Sequence, residues 1–224
     1  MKKTTKALAL VLCAMLLVVV SVMGTLAYLT STKEVKNTFT VGNIEIKLDE
    51  AKVDENGKAL SSGERTIEKN EYHILPGIDY DKDPTVWVKE GSEEAYIRIL
   101  VTTNKYDKLV EIFGANFKPE TYVTGWNRDI WVSTDIKIDA DKVTYEFRYK
   151  NAYTATPDDK DNVEEYDELD ALFTSFKLPG ELVDNDELAS LAGLEIKVVA
   201  QAIQTAGFDD VDAAWLGYEA TENN

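Results

Sequence analysis

The chain has 224 residues, with 24 Lys and Arg against 41 Asp and Glu and a formal charge of −17. Phosphate binding needs concentrated positive charge, so this balance argues against a nucleic-acid binder and against charge-driven adhesion to anionic lipid. Hydrophobic residues make up 44% of the chain, enough to bury a core, while one Cys and one His exclude an intramolecular disulfide and argue against a Cys/His zinc site.

The N-terminus reads as targeting. Lys2, Lys3 and Lys6 precede an apolar run over 7–23, broken only by Ser21, and Gly24-Thr25-Leu26-Ala27 follows. A basic start, an apolar stretch and small residues at the −3 and −1 positions predict a secretory signal peptide over 1–27. The cut falls between Ala27 and Tyr28, with Thr25 at −3. The competing reading is an uncleaved anchor, because the run is near the lower limit for crossing a bilayer. The small residues at its end favour cleavage, so the membrane is a partner of the precursor only. Removal leaves 21 basic residues against 41 acidic ones, a charge of −20. Cys13, Met1, Met15 and Met23 leave together, so the working protein carries no sulfur. That excludes thiol catalysis, disulfides and thiolate metal sites.

Residues 28–37 are polar and poorly patterned and read as a flexible leader. The first strand is expected over 38–48. Phe39 and Val41 share one parity and Ile44, Ile46 and Leu48 the other, with the switch at Gly42-Asn43, as a β-bulge would produce. Residues 49–70 carry Asn56-Gly57 and Ser61-Ser62-Gly63 and read as a hairpin or loop. Strands are expected over 85–89, 95–101, 143–150 and 194–202, where apolar and polar residues alternate. Weaker candidates lie over 66–75, 130–138 and 173–178. Tyr106, Leu109, Val110 and Phe113 form the stripe of a short helix over 105–113, and a second helix is expected over 209–216. The acidic stretch 158–170 reads as an exposed loop, and 219–224 as a polar tail without an LPxTG-type sorting signal. Many strands and few helices predict an all-β chain with two short helices: a jelly-roll-type β-sandwich in a single domain over 38–218.

Catalytic signatures are scarce, and no enzyme is expected. His73 stands alone, so an HExxH pair cannot form, and GxSxG, P-loop and GxGxxG motifs are absent. His73 itself reads as a half-exposed strand residue. Asp79, Asp81, Asp83 and Glu90 fall at positions 1, 3, 5 and 12 of a calcium loop, but Pro84 stands where that loop needs glycine, and 85–89 reads as a strand. An acidic turn is the plainer reading, with calcium as the one cofactor considered. Trp126 and Trp131 could form a sugar platform, though core or edge packing is the commoner fate.

Several stretches taken together resemble the TasA/camelysin family of secreted Gram-positive proteins. They are Gly24-Thr25-Leu26-Ala27-Tyr28-Leu29-Thr30, Asn37-Thr38-Phe39-Thr40-Val41-Gly42-Asn43-Ile44, Leu75-Pro76-Gly77, Ala95-Tyr96-Ile97-Arg98-Ile99, and Ala200 through Phe208 with Ala214-Trp215. The resemblance implies cleavage by a dedicated SipW-type signal peptidase. It implies a jelly-roll subunit that polymerises with itself into extracellular or biofilm-matrix fibres. It further suggests donor-strand exchange, with Phe39, Val41, Ile44, Ile46 and Leu48 filling the groove of the next subunit. Further partners would be other matrix or cell-surface proteins. The alternatives are a monomeric adhesin or ligand-binding sandwich and, less favoured, a camelysin-like metal-dependent peptidase. The last lacks a zinc ligand set beyond carboxylates and His73.

Overall fold

Strict alternation over 95–104 buries Ala95, Ile97, Ile99, Val101 and Thr103 on one face, and this run is the longest strand of the fold. The computed structural model describes residues 30–34, 37–40, 44–114, 118, 122–156, 166–178, 180 and 185–222. Along them run β1 Thr30–Glu34, β2 Asn37–Thr40, β3 Ile46–Ala51, β4 Arg65–Thr66, β5 Asp79–Asp81, β6 Thr85–Lys89 and β7 Ala95–Asn104. Helix α1, Tyr106–Phe113, comes next, followed by β8 Val123–Thr124, β9 Trp131–Asp139, β10 Lys142–Tyr149, β11 Tyr166–Glu168 and β12 Ser175–Lys177. Helix α2, Asn185–Ser190, then β13 Ile196–Gln204 and helix α3, Val211–Glu222, complete the order.

The strands form three antiparallel sheets, so the described chain is all-β in class. The largest has the order β2-β1-β13-β7-β10-β9; the others are β11-β6-β3-β4 and β5-β12-β8. One apolar core joins the first two sheets. Ile46, Leu48, Val86 and Val88 from the four-stranded sheet meet Ile97, Ile99, Val143, Tyr145, Phe147, Val198 and Ala200 from the six-stranded one. The inward face of each strand is apolar because side chains alternate with a period of two. Burying such residues contributes roughly 1.5–3 kcal/mol each, before the entropy of ordering them. A smaller cluster of Leu109, Tyr122, Leu178 and Leu191 seats α1.

Four expectations are corrected. The run 38–48 is not one bulged strand: β2 and β3 lie in different sheets, and the Gly42-Asn43 parity switch between them lies outside the described residues. The leader holds β1, which pairs with β13 and β2. The stretch 66–75 supplies only Thr66, the second residue of β4, so His73 is not in a strand. Helix α3 runs through the expected polar tail to Glu222, and α2 makes a third helix. The hairpin within 49–70 is present. Lys58 donates its backbone N–H to the Asp54 side chain at 2.9 Å across the turn. Gly57, at φ +71°, lies so close to Tyr80 that a Cβ would sit 2.3 Å from its ring.

Candidate assembly surface

The two rims of the six-stranded sheet are built differently. At one rim the N-terminal hairpin β1–β2 is added to β13. Its register runs from Thr30 opposite Ile203 to Glu34 opposite Val199. The second strand continues outward, with Thr32 opposite Phe39. Phe39 thus lies on the outermost strand of this rim, whereas Ile44, Ile46 and Leu48 are at most 4% exposed in the core of their own subunit. Of the five expected exchange residues, only Phe39 belongs to the hairpin, and Val41 lies outside the described residues. Thr25, Ala27 and Tyr28 at the expected cleavage site also lie outside them.

Beside this rim a cleft of about 1070 Å³ opens between β3 and β13. Leu48, Phe176, Leu191, Leu194, Ile196 and Val198 supply its apolar lining, with His73 and Lys69 also on its wall. At its base Lys82 pairs with Glu50, and Asn70 Nδ2 donates to Glu50 Oε1 at 2.8 Å. A buried pair of this kind is tolerable only because its hydrogen bonds are made. Tyr72 donates its hydroxyl to the Asp81 carbonyl at 3.0 Å nearby. Burial, then the Glu50 charge, push its phenol well above the usual tyrosine range.

The opposite rim is β9, which pairs only with β10 among the described residues. Trp131 anchors its start: it is fully buried and donates Nε1–H to the Asp170 carbonyl at 2.8 Å. From Val132 to Asp139 every residue is exposed. A register shift between Glu146 and Phe147 of β10 places a bulge in this pairing. Past the bulge, Ile136 lies opposite Tyr145 and Ile138 opposite Val143. Both therefore project from the core-facing side of the sheet, where the narrower four-stranded sheet leaves them 50% and 56% exposed. Three of the seven large exposed hydrophobics in the described residues belong to β9, so this rim is the apolar one.

Between the rims, α3 closes the outer face of the sheet over a buried cation. Arg98 is 3% exposed and donates to Gln201 Oε1 at 2.7 Å, Glu146 Oε2 at 3.2 Å and Glu219 Oε1 at 2.9 Å. Its guanidinium lies 4.2 Å from the Trp215 ring centre and 5.3 Å from that of Tyr218. Arg148 pairs with Glu146 and with Asp212 of α3. Burial pulls its guanidinium down, but hydrogen bonds to those two carboxylates outweigh burial and raise it. Sequence alternation set Arg98 with Tyr96 and Leu100 on the face opposite Ile97 and Ile99 but carried no sign that the arginine is sealed beneath a helix.

The expected calcium ligands are not gathered. Asp79 pairs with Lys177, Asp81 with Lys58, and Asp83 with Arg65, each at a separate place. Asp83 also accepts the Ala51 N–H at 2.6 Å, and Glu90 follows the far end of β6. No group of three or more metal-ligating side chains occurs among the described residues. The two tryptophans pack rather than form a platform: Trp126 Nε1–H donates to the Trp131 carbonyl, and its ring meets Phe147 edge-on at 5.0 Å. His73 uses its backbone carbonyl to accept from Tyr80 Oη at 2.8 Å. Comparison with family models, curated proteins and solved structures finds no match.

Proposed function

We propose that this chain is a secreted structural subunit that polymerises with itself into extracellular fibres by exchanging its N-terminal hairpin. In this reading the signal peptide is removed by a signal peptidase at Ala27-Tyr28. The two-sheet core is of jelly-roll type, and the chain is of the TasA/camelysin kind that its N-terminal block resembles. The observation that carries the reading is the pairing of β1 with β13 beside an open apolar cleft. An added strand at a sheet edge is held by backbone hydrogen bonds that a second copy can supply equally well. The adjacency of the first strands to the last, β13, supports the jelly-roll reading.

The exchanged segment is 30–40 rather than 38–48. Ile44, Ile46 and Leu48 complete the subunit's own core, and withdrawing them would open it. Subunits of high negative charge repel one another, so salt is expected to speed assembly by screening. The decisive experiment compares the chain from Tyr28 with a chain from Asn43 by electron microscopy, with thermal melts to establish that both fold. Fibres from the longer chain alone support hairpin exchange. Equal fibres from the shorter chain overturn it.

A further inference from the structure

We propose that the free edge of β9 is a docking strand for a second copy of this chain, with the two β9 strands pairing antiparallel about a two-fold axis at Ile136. The Ile136 N–H donates to Asp135 Oδ1 at 2.8 Å. It is therefore turned away from β10 and is a donor that an added strand can use. In an antiparallel ladder a residue of this kind exchanges both backbone bonds with the residue opposite. Placing Ile136 opposite its own copy sets Lys137 against Asp135 of the second copy, and Asp135 against Lys137, on both sides of the axis.

Neighbouring registers fail on charge or length. An axis at Asp135 faces two Asp135 side chains, and an axis at Lys137 faces two Lys137 side chains and sets Asp135 against Asp139. Like charges directly opposite are destabilising. An axis at Ile138 pairs only 137–139, because the strand ends at Asp139. The Ile136 register also covers apolar surface: Ile136 and Ile138 are half exposed on the core-facing side, and the second strand shields them. Lys137 is exposed and has no ion-pair partner among the described residues, so it is available to a second copy.

Asp135 then acts as a selective guard. In the lone subunit its carboxylate occupies the donor that a foreign strand would need. A second β9 brings a lysine in register that draws the carboxylate away and frees the N–H for the Ile136 carbonyl opposite. Edge strands commonly carry charge against indiscriminate pairing, and here the same charge selects its own partner. This contact uses the rim opposite the N-terminal hairpin and does not rest on the proposed exchange.

The test uses the full chain expressed in a secreting bacterial host, with the product collected from the medium. A Cys13→Ser background leaves one thiol when Ile136→Cys is added. Opposed Cα atoms in a hydrogen-bonded pair are about 5.5 Å apart, within disulfide reach. Mild oxidation is expected to give a covalent dimer from Ile136→Cys and only monomer from Val132→Cys, whose two copies would lie at opposite ends of the paired strands. Adding Lys137→Glu reverses two cross-strand pairs and is expected to lower the dimer yield about tenfold. Adding Asp135→Lys to that variant is expected to restore it. Equal dimer from Ile136→Cys and Val132→Cys overturns the proposal, as does a yield indifferent to Lys137→Glu or a swap that fails to restore it. All four positions are exposed or edge-facing, and melts verify that each variant folds. The readout does not involve residues 30–40, so it succeeds or fails independently of fibre formation.

Discussion

The two rims of the six-stranded sheet solve the problem of an unpaired edge in opposite ways. At the N-terminal rim, β13 is covered by β1, a strand of the same chain. At the other rim, β9 is anchored at one end by a fully buried Trp131 and is otherwise bare, protected by charge rather than by cover. A detachable cover suits exchange between subunits. A charged bare edge suits a partner that matches its pattern. In the proposed reading, the same sheet carries one rim whose pairing is traded and one whose pairing is added.

Three substitutions in the six-stranded sheet test this comparison, and a fourth away from it sets the scale. The largest effect is expected at the anchor of β9. Trp131→Ala should destabilise the fold by about 3–5 kcal/mol, read as a fall in urea midpoint, because it opens a cavity and orphans the Asp170 carbonyl. Next comes the clamp between the rims. Arg98→Leu leaves Glu146 and Gln201 buried with fewer partners and should cost about 3 kcal/mol, the low end for a broken buried pair, because Arg148 and Thr134 still reach Glu146. A loss in Arg98→Leu much below about 1 kcal/mol would show that the outer face is wetter than drawn. The bare part of β9 should be nearly silent in the lone subunit. Ile136→Thr is expected to change stability by less than about 0.5 kcal/mol, so any larger loss of association belongs to the docking contact.

The smallest effect lies in the hairpin beyond β3, remote from both rims. Backbone N–H groups, that of Lys58 foremost, hold the exposed Asp54 carboxyl below its ordinary 3.8. A depressed carboxyl contributes stability above its unfolded pKa, and the contribution is lost as pH falls through the lower folded value. Asp54→Asn should therefore be slightly less stable than the parent at about pH 5, with the gap closing by about pH 2. A gap that widens in acid would reverse the assignment.

Much of the sheet framework was legible because a period of two is visible without a structure. The strand over 85–89 was read to the residue, and those over 95–101, 143–150 and 194–202 to within a few positions. Helix α1 announced itself through Tyr106, Leu109, Val110 and Phe113. What failed was the meaning of a parity switch. Gly42-Asn43 reads the same whether the chain bulges within one sheet or leaves it for another, and only the partners of β2 and β3 decide. Short strands such as β4, β8 and β11 are held by neighbours rather than by pattern, so two or three residues carried no signal. The openness of β9 was hidden for a related reason. Ile136 and Ile138 look like core residues, and exposure follows from the opposing sheet having fewer strands.

Sealing Arg98 beneath α3 has a consequence for shape at larger scale. The helix makes the middle of the six-stranded sheet thick on one side, while the four-stranded sheet covers the other. Where α3 lies, the outer face of the six-stranded sheet is closed to direct stacking on a flat sheet of another copy. Assembly through either of the two proposed rim contacts would therefore extend sideways, within the plane of the strands, as a ribbon before a bundle.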